Sequence, residues 1–169
     1  KVDIINDKLT EIKGQLVIKV LDFSGNEIRK EIKEVTVPAN SSNTFFATRT
    51  FQFLMNLQPR TQFLVVELVE NEKIISDNTL FFRPIKDILL PQPKVKYEIN
   101  AVEGGFEITL NSDQLAKNLY MTIGDEEGFF SDNYFDLIPG KTVKVKLETN
   151  ILKGKLDGIF AIQTLDSSF

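Results

Sequence analysis

Residues 97–110, YEINAVEGGFEITL, contain two alternating runs that flank a pair of glycines. Apolar residues recur at every second position in both runs, as at Phe106, Ile108 and Leu110. A period of two predicts strands with one buried face, because successive side chains of a strand point to opposite sides of the sheet. Gly104 and Gly105 favour a tight turn between the runs, so a β-hairpin is expected here.

The same pattern recurs outward along the chain. Residues 16–21 and 143–147 also alternate, and residues 63–69 are almost continuously apolar, which is typical of a central strand or of a strand against a second domain. Turn signals lie between the runs, including Ser24-Gly25-Asn26 and Pro139-Gly140. No stretch has a convincing helical stripe, and residues 113–118 could form one helical turn at most. An all-β chain built from antiparallel sandwiches is therefore predicted.

A proline-rich segment divides the chain. Residues 83–93 contain three of the six prolines, and proline cannot donate a hydrogen bond to a sheet. We expect two sandwiches of about seven strands each, at residues 1–86 and 87–169. Four apolar side chains in this segment are unusual for a solvated linker, and we predict that they are buried between the domains: Ile85, Ile88, Leu89 and Leu90.

Composition excludes several kinds of active site. Of the 169 residues, 42% are hydrophobic and 26% charged, which is typical of a soluble globular protein. The absence of His and Cys excludes Ser-His-Asp triads, Cys nucleophiles, disulfides and thiolate zinc sites. No metal ligand set, cofactor site or catalytic residue is predicted. The net charge of −4 has no accompanying basic patch, so neither nucleic acid nor an anionic membrane is an expected partner.

Carboxylates are the only plausible catalytic groups present in number. Glycoside hydrolysis needs two of them a few ångströms apart. Three groups of acidic residues are candidates: Asp125 with Glu126 and Glu127, Asp132 with Asp136, and Glu67 with Glu70. The first group is interpreted as a solvated loop, and Glu67 as a paired or exposed strand residue. The phenylalanines at positions 45, 46, 51 and 53 are interpreted as core.

The segment around Asp132 has two interpretations. Its carboxylates could bind a cation, but it lacks the 12-residue spacing of a calcium loop. Asp and Asn side chains also organise turns by accepting hydrogen bonds from nearby backbone amides. We therefore predict a structural corner, with Tyr134 anchored by its hydroxyl and a turn at the proline, composed of Asp132, Asn133, Tyr134, Pro139 and Gly140.

Residues 129–141, FFSDNYFDLIPGK, resemble a segment of the last, immunoglobulin-like domain of β-mannosidases of glycoside hydrolase family 2. Residues 2–9, 14–25 and 37–41 look like the preceding immunoglobulin-like domain, and residues 76–86 look like its end. The resemblance covers nearly the whole chain in the expected order. It implies two tandem immunoglobulin-like β-sandwiches.

The resemblance also implies a function for the parent protein. Family 2 enzymes are retaining glycosidases whose two catalytic Glu lie on a separate (β/α)8 barrel, which 169 all-β residues cannot contain. The chain is then a non-catalytic part of a longer β-mannosidase that removes terminal β-linked mannose. Its expected partners are the barrel and other domains of the same polypeptide, and it meets β-mannosides only through the parent. A periplasmic, secreted or lysosomal location of the parent is consistent with this role.

Two alternatives remain open. The chain could be a tandem binding or adhesion module that presents loops to a protein or glycan. It could also have the same accessory role in another family 2 enzyme, a β-galactosidase or an exo-glucosaminidase. The sequence that precedes Lys1 in the intact gene would separate these possibilities.

Overall fold

The computed structural model describes residues 1–168 and divides the chain into two compact units. The first unit contains Lys1–Asp22 and Asn26–Leu89, and the second contains Phe23–Gly25 and the chain from Leu90 onward. Both consist mainly of antiparallel strands, so the predicted all-β class is confirmed. No helix within residues 1–168 is long and apolar enough to span a membrane.

The first unit has six strands and one short helix. Its elements are β1 (Val2–Asn6), β2 (Ile12–Asp22), β3 (Glu27–Val37), β4 (Ser41–Phe46), α1 (Thr50–Leu54), β5 (Gln62–Glu70) and β6 (Lys73–Phe81). A four-stranded sheet has the order β3-β2-β5-β6, and β1 pairs with β4 in a second sheet. The core includes Ile4 of β1, Leu16 and Ile18 of β2, and Leu64 and Leu68 of β5. The apolar run at 63–69 is thus an inner strand, as predicted.

The second unit has seven strands among the described residues. Its elements are β7 (Val95–Val102), β8 (Gly105–Ser112), β9 (Ala116–Thr122), β10 (Phe129–Phe130), β11 (Phe135–Leu137), β12 (Val143–Glu148), α2 (Lys153–Ile159) and β13 (Ala161–Gln163). One sheet has the order β10-β12-β8-β7 and the other β11-β9-β13. The predicted hairpin at residues 97–110 forms between β7 and β8. The apolar positions of its second strand, β8, join the core, where Ile108, Leu110, Leu119 and Leu147 are fully buried.

Helices α1 and α2 lie where the sequence showed no convincing helical stripe. Neither has a side-chain cap, and α1 has no fully buried residue, so neither carries a recognisable sequence signal. Residues 113–118 form no helical turn, and their last three residues begin β9.

Helix α1 also explains one wrong prediction. Phe45, Phe46 and Phe53 pack against the core of the first unit, but Phe51 is 81% exposed. Residues two apart on a helix point in nearly opposite directions, because each residue turns the helix by about 100°. Burying Phe53 therefore leaves Phe51 in solvent.

The proline-rich segment contains a single 3-10 turn, Ile85–Asp87. Arg60 holds it by donating from Nε to the carbonyl oxygen of Asp87 at 2.9 Å. Ile88 is buried and Leu90 is half-buried, whereas Ile85 and Leu89 are 40% and 53% exposed. Successive side chains of a short turn point in different directions, so the four residues differ in exposure. The role of the four residues in interdomain packing stays a prediction.

Candidate functional site

The candidate site is the 129–141 segment, which crosses between the two sheets of the second unit. It begins in β10, which pairs with β12, and continues into β11, which pairs with β9. Ser131 fixes the crossing, since its backbone N–H donates to the carbonyl oxygen of Lys146 at 2.8 Å. The Lys146 N–H in turn donates to Ser131 Oγ at 2.9 Å. The segment therefore links both sheets within a few residues.

Asn133 lies at the centre of this crossing. Its Oδ1 accepts a hydrogen bond from the Met121 N–H at 2.8 Å, and its Nδ2 donates to the Met121 carbonyl oxygen at 2.9 Å. Asp132 Oδ1 accepts from the Asn133 N–H at 2.8 Å. One amide side chain thus satisfies both backbone groups of a residue on β9, twelve positions away in sequence.

Replacing Asn133 with alanine should destabilise the second unit by about 1–2 kcal/mol, because two partly buried backbone groups of Met121 lose their partner. Urea unfolding followed by tyrosine fluorescence measures this change, since all three tyrosines lie in the second unit. Asn133→Asp is the matched variant, because it keeps the acceptor and loses the donor. An Asn133→Ala protein as stable as the original would contradict the structural role.

The segment ends in a tight turn. The Lys141 N–H donates to the Ile138 carbonyl oxygen at 3.1 Å, with Pro139 and Gly140 as the central residues. Gly140 has φ of +81°, the value that the third residue of a type II turn requires. A Cβ at Gly140 would contact nothing within 4 Å, so the backbone angle, and not space, requires the glycine.

Tyr134 lies at the surface of the corner. Its φ is +61°, which is uncommon for a bulky residue, and the residue is 68% exposed. Its ring stacks on the ring of Tyr120 with centroids 4.6 Å apart and planes at 23°. Partial desolvation and the neighbouring Tyr120 phenol raise the pKa of Tyr134 above its ordinary value of 10.0.

The raised pKa predicts the pH dependence of stability. The folded state favours the neutral phenol of Tyr134. The stabilisation of the folded state that this group contributes is therefore complete below pH 10, and it is lost as pH rises through the folded pKa. Absorbance titration of ionised tyrosine should show one late-titrating group, which the Tyr134→Phe variant lacks. The titration curves of the original and of Tyr134→Phe are scaled to the number of tyrosines in each protein. If the scaled curves coincide at and above pH 10, the late-titrating group is not Tyr134.

Asp136 occupies a separate network from Asp132. Its Oδ1 accepts from Lys117 Nζ at 2.9 Å and from the Asn118 N–H at 3.0 Å. Lys117 Nζ also donates to Asn118 Oδ1 at 2.6 Å, and Asn118 has φ of +50°. Both aspartates accept bonds from protein donors, as the turn-building interpretation requires. Within residues 1–168, no cluster of three or more acidic side chains could hold a metal ion.

The other carboxylates lie on different elements. Glu67 is 3% exposed on β5 and pairs with Lys19 Nζ at 2.7 Å. Glu70 is three positions further along the same strand, so it points to the opposite face. Glu126 pairs with Lys155 Nζ at 2.7 Å, in a loop that lines an open groove of about 870 Å³.

Sequence reasoning missed three neighbours of the corner: Lys117, Asn118 and Gln163. The sequence gives a weak signal for Asn118, because Asn adopts positive φ more readily than most residues. It gives no signal for Lys117 and Gln163, since their proximity to the corner depends on how β9 pairs with β11 and β13.

Comparison with known proteins identifies both units. Residues 1–87 match the family model of the mannosidase Ig/CBM-like domain, and residues 90–168 match that of the Ig-fold domain of mannosidases. No curated protein sequence matches the chain.

Solved structures with a similar fold include a β-mannosidase and an exo-chitosanase. The β-D-mannosidase from Dictyoglomus thermophilum aligns over 96% of this chain, with a TM-score of 0.80 and 20% identity. The exo-chitosanase CsxA from Amycolatopsis orientalis aligns over 96% of the chain, with a TM-score of 0.62 and 17% identity. The chain spans only 20% and 24% of these two proteins. The chain belongs to the mannosidase Ig/CBM-like domain family through residues 1–87, and an Ig-fold domain of the mannosidase type follows it.

Proposed function

We propose that this chain is the non-catalytic accessory region of a β-mannosidase of glycoside hydrolase family 2. The parent enzyme removes terminal β-linked mannose with retention, and the chain docks on its catalytic barrel. The observation that carries the proposal is the tandem match to two domain families of mannosidases, at residues 1–87 and 90–168. The similar fold of a β-D-mannosidase over 96% of the chain supports it.

The distribution of carboxylates supports a non-catalytic role. A glycosidase places two carboxyl groups on either side of one bond, a few ångströms apart. Glu67 is buried against Lys19, Asp136 accepts from Lys117, and Glu126 pairs with Lys155. Each of these acids is paired with a lysine of its own unit, and the three acids lie on different elements, so no two of them flank one bond.

The physical contribution of such a region is support. A barrel enzyme builds its active site from loops at one face, and those loops must be held in place. Rigid sandwiches beside the barrel restrict loop motion, and pre-organisation of this kind lowers the cost of reaching the productive geometry. The crossing at Asn133 and Ser131 supplies rigidity by tying the two sheets of the second unit together.

A second candidate is the same accessory role in an exo-glucosaminidase. The similar fold of the exo-chitosanase CsxA over 96% of the chain favours it. The lower TM-score, 0.62 against 0.80, favours the β-mannosidase.

The proposal is tested by separating the chain from its parent. The purified 169-residue chain should not hydrolyse an aryl β-mannoside or an aryl β-glucosaminide at any pH. A parent truncated before Lys1 should lose thermal stability and kcat/KM, and the chain added in trans should restore part of both. Adding serum albumin at the same concentration is the control for nonspecific protection.

Three outcomes would count against the proposal. Turnover by the chain that disappears when one Asp or Glu is replaced would make it an enzyme. A truncated parent with unchanged stability and kinetics would favour a binding or adhesion module. If the intact parent cleaves only the glucosaminide, the parent is an exo-glucosaminidase and its assignment as a β-mannosidase is wrong.

A further inference from the structure

The stacked tyrosines of the second unit form an aromatic surface that the support role does not use. Tyr120 lies on β9 and is half-buried, while Tyr134 lies above it and is 68% exposed. With centroids 4.6 Å apart and planes at 23°, the Tyr120 ring covers one face of the Tyr134 ring. A ring that stacks on another meets it with one face, so the opposite face of the Tyr134 ring does not contact Tyr120.

The backbone of Tyr134 is held by the side chain of Asn133. Its backbone N–H donates to Asn133 Oδ1 at 3.2 Å, and the same oxygen accepts from the Met121 N–H on β9. Glycine or asparagine adopts a φ of +61° more easily than tyrosine. A bulky residue kept at such an angle is a signal of function when the surrounding structure fixes it, as the bonds of Asn133 do here.

Two exposed polar residues lie close to the aromatic pair in strand register or in sequence. Gln163 on β13 is exposed and lies directly opposite Tyr120 in the strand register, where Cβ atoms are typically about 5 Å apart. Asp132 is exposed two residues before Tyr134. A flat apolar face beside an amide and a carboxylate matches the chemistry of a pyranose ring, which has an apolar C–H face and a rim of hydroxyl groups.

We propose that the Tyr120–Tyr134 pair is a carbohydrate-binding site that stacks one pyranose ring of a β-linked glycan on the exposed face of Tyr134. Gln163 donates or accepts hydrogen bonds at the hydroxyl rim, and the Asp132 carboxylate accepts them. The choice of glycan rests on the proposed function, since a β-mannosidase meets β-linked mannosides. The site lies on the accessory region and serves to hold the substrate chain, not to cleave it.

A nucleic acid is disfavoured as the ligand, because residues 91–169 carry the whole net charge of −4.

The test is a titration of the 169-residue chain with β-1,4-linked mannohexaose and, separately, with a chitosan hexamer. Isothermal titration calorimetry measures binding in the original and in every variant, because the Tyr134 substitutions would themselves remove a tyrosine fluorescence signal. We expect saturable binding of at least one hexamer. Tyr134→Ala should weaken it by about tenfold, the change expected for loss of one stacking contact. Tyr134→Phe keeps the ring and should bind nearly as the original does.

Two further variants keep the result interpretable. Tyr134→Gly removes the ring and relieves the positive φ, so weak binding by this variant cannot be attributed to backbone strain. Tyr97→Phe is the control for a tyrosine outside the pair, since Tyr97 packs edge-on against Phe160. It should leave binding unchanged.

The outcomes distinguish this site from the proposed function. No saturable binding of either hexamer, or equal binding by the original and Tyr134→Ala, overturns the site even if the parent cleaves mannosides. Binding of only the chitosan hexamer, lost in Tyr134→Ala, supports the site. A parent that then cleaves glucosaminides and not mannosides overturns only the β-mannosidase assignment.

Discussion

Replacing Leu119 with alanine is expected to destabilise the second unit by about 2–5 kcal/mol. Leu119 lies in the middle of β9, opposite Phe135 of β11, and none of its surface is exposed. The change removes buried methyl and methylene groups and leaves a cavity in the core that Ile108, Leu110 and Leu147 share with it. The surrounding strands cannot close that cavity, because their backbones are fixed by sheet hydrogen bonds.

The measurement is a urea titration monitored by tyrosine fluorescence. Tyr97, Tyr120 and Tyr134 all belong to the second unit, so the signal reports that unit alone. Leu152→Ala is the matched control: it makes the same chemical change at a residue that is 80% exposed, and its effect should stay within about 0.5 kcal/mol. Equal effects of the two substitutions would show that Leu119 is not in a packed core.

The second large effect is expected at the hairpin that opens the second unit. Gly105 begins β8 with φ of +151°, in a region that residues with a side chain rarely adopt. A Cβ at this position would lie 2.0 Å from the carbonyl oxygen of Leu147 and 3.0 Å from its carbonyl carbon. Gly105→Ala should therefore cost roughly 3 kcal/mol, since backbone strain and a clash with a paired strand add together.

Gly154→Ala is the control for this prediction. Gly154 lies in α2, and a Cβ there would contact nothing within 4 Å. Alanine favours a helix over glycine, so the variant should be equally stable or more stable by up to about 1 kcal/mol. Thermal unfolding followed by circular dichroism compares the two variants. If the Gly105→Ala protein has the same melting temperature as the original, β8 and β12 are further apart than the structure places them.

Some features of the fold could be read directly from the sequence. The alternation in residues 97–110 and its two glycines predict the β7–β8 hairpin, and the alternation at 143–147 predicts β12. The continuous run at 63–69 predicts an inner strand, which β5 is. These signals are local: a period of two identifies a strand with one buried face wherever that strand lies in the sheet.

Helix α2 could not be predicted in the same way. It has seven residues, contains two glycines, and begins after Leu152, whose side chain provides no cap. A helix of two turns is marginal alone, and here Leu156, fully buried in the core of the second unit, anchors it. The helix therefore depends on tertiary packing, and the sequence contains no periodic stripe that would reveal it.

By itself, the sequence determined the all-β class, the main turns and, through residues 129–141, the resemblance to mannosidase domains that the family comparison confirmed. It also excluded imidazole and thiol chemistry, which depends only on composition. Tertiary structure alone decided which groups meet. Asn133 reaches Met121 twelve residues away, Lys19 reaches Glu67 across forty-eight, and Tyr120 comes to lie beneath Tyr134. The physical reason is that alternation specifies which face of a strand is buried, whereas sheet order and register, which bring distant side chains together, are fixed by the packing of the whole core.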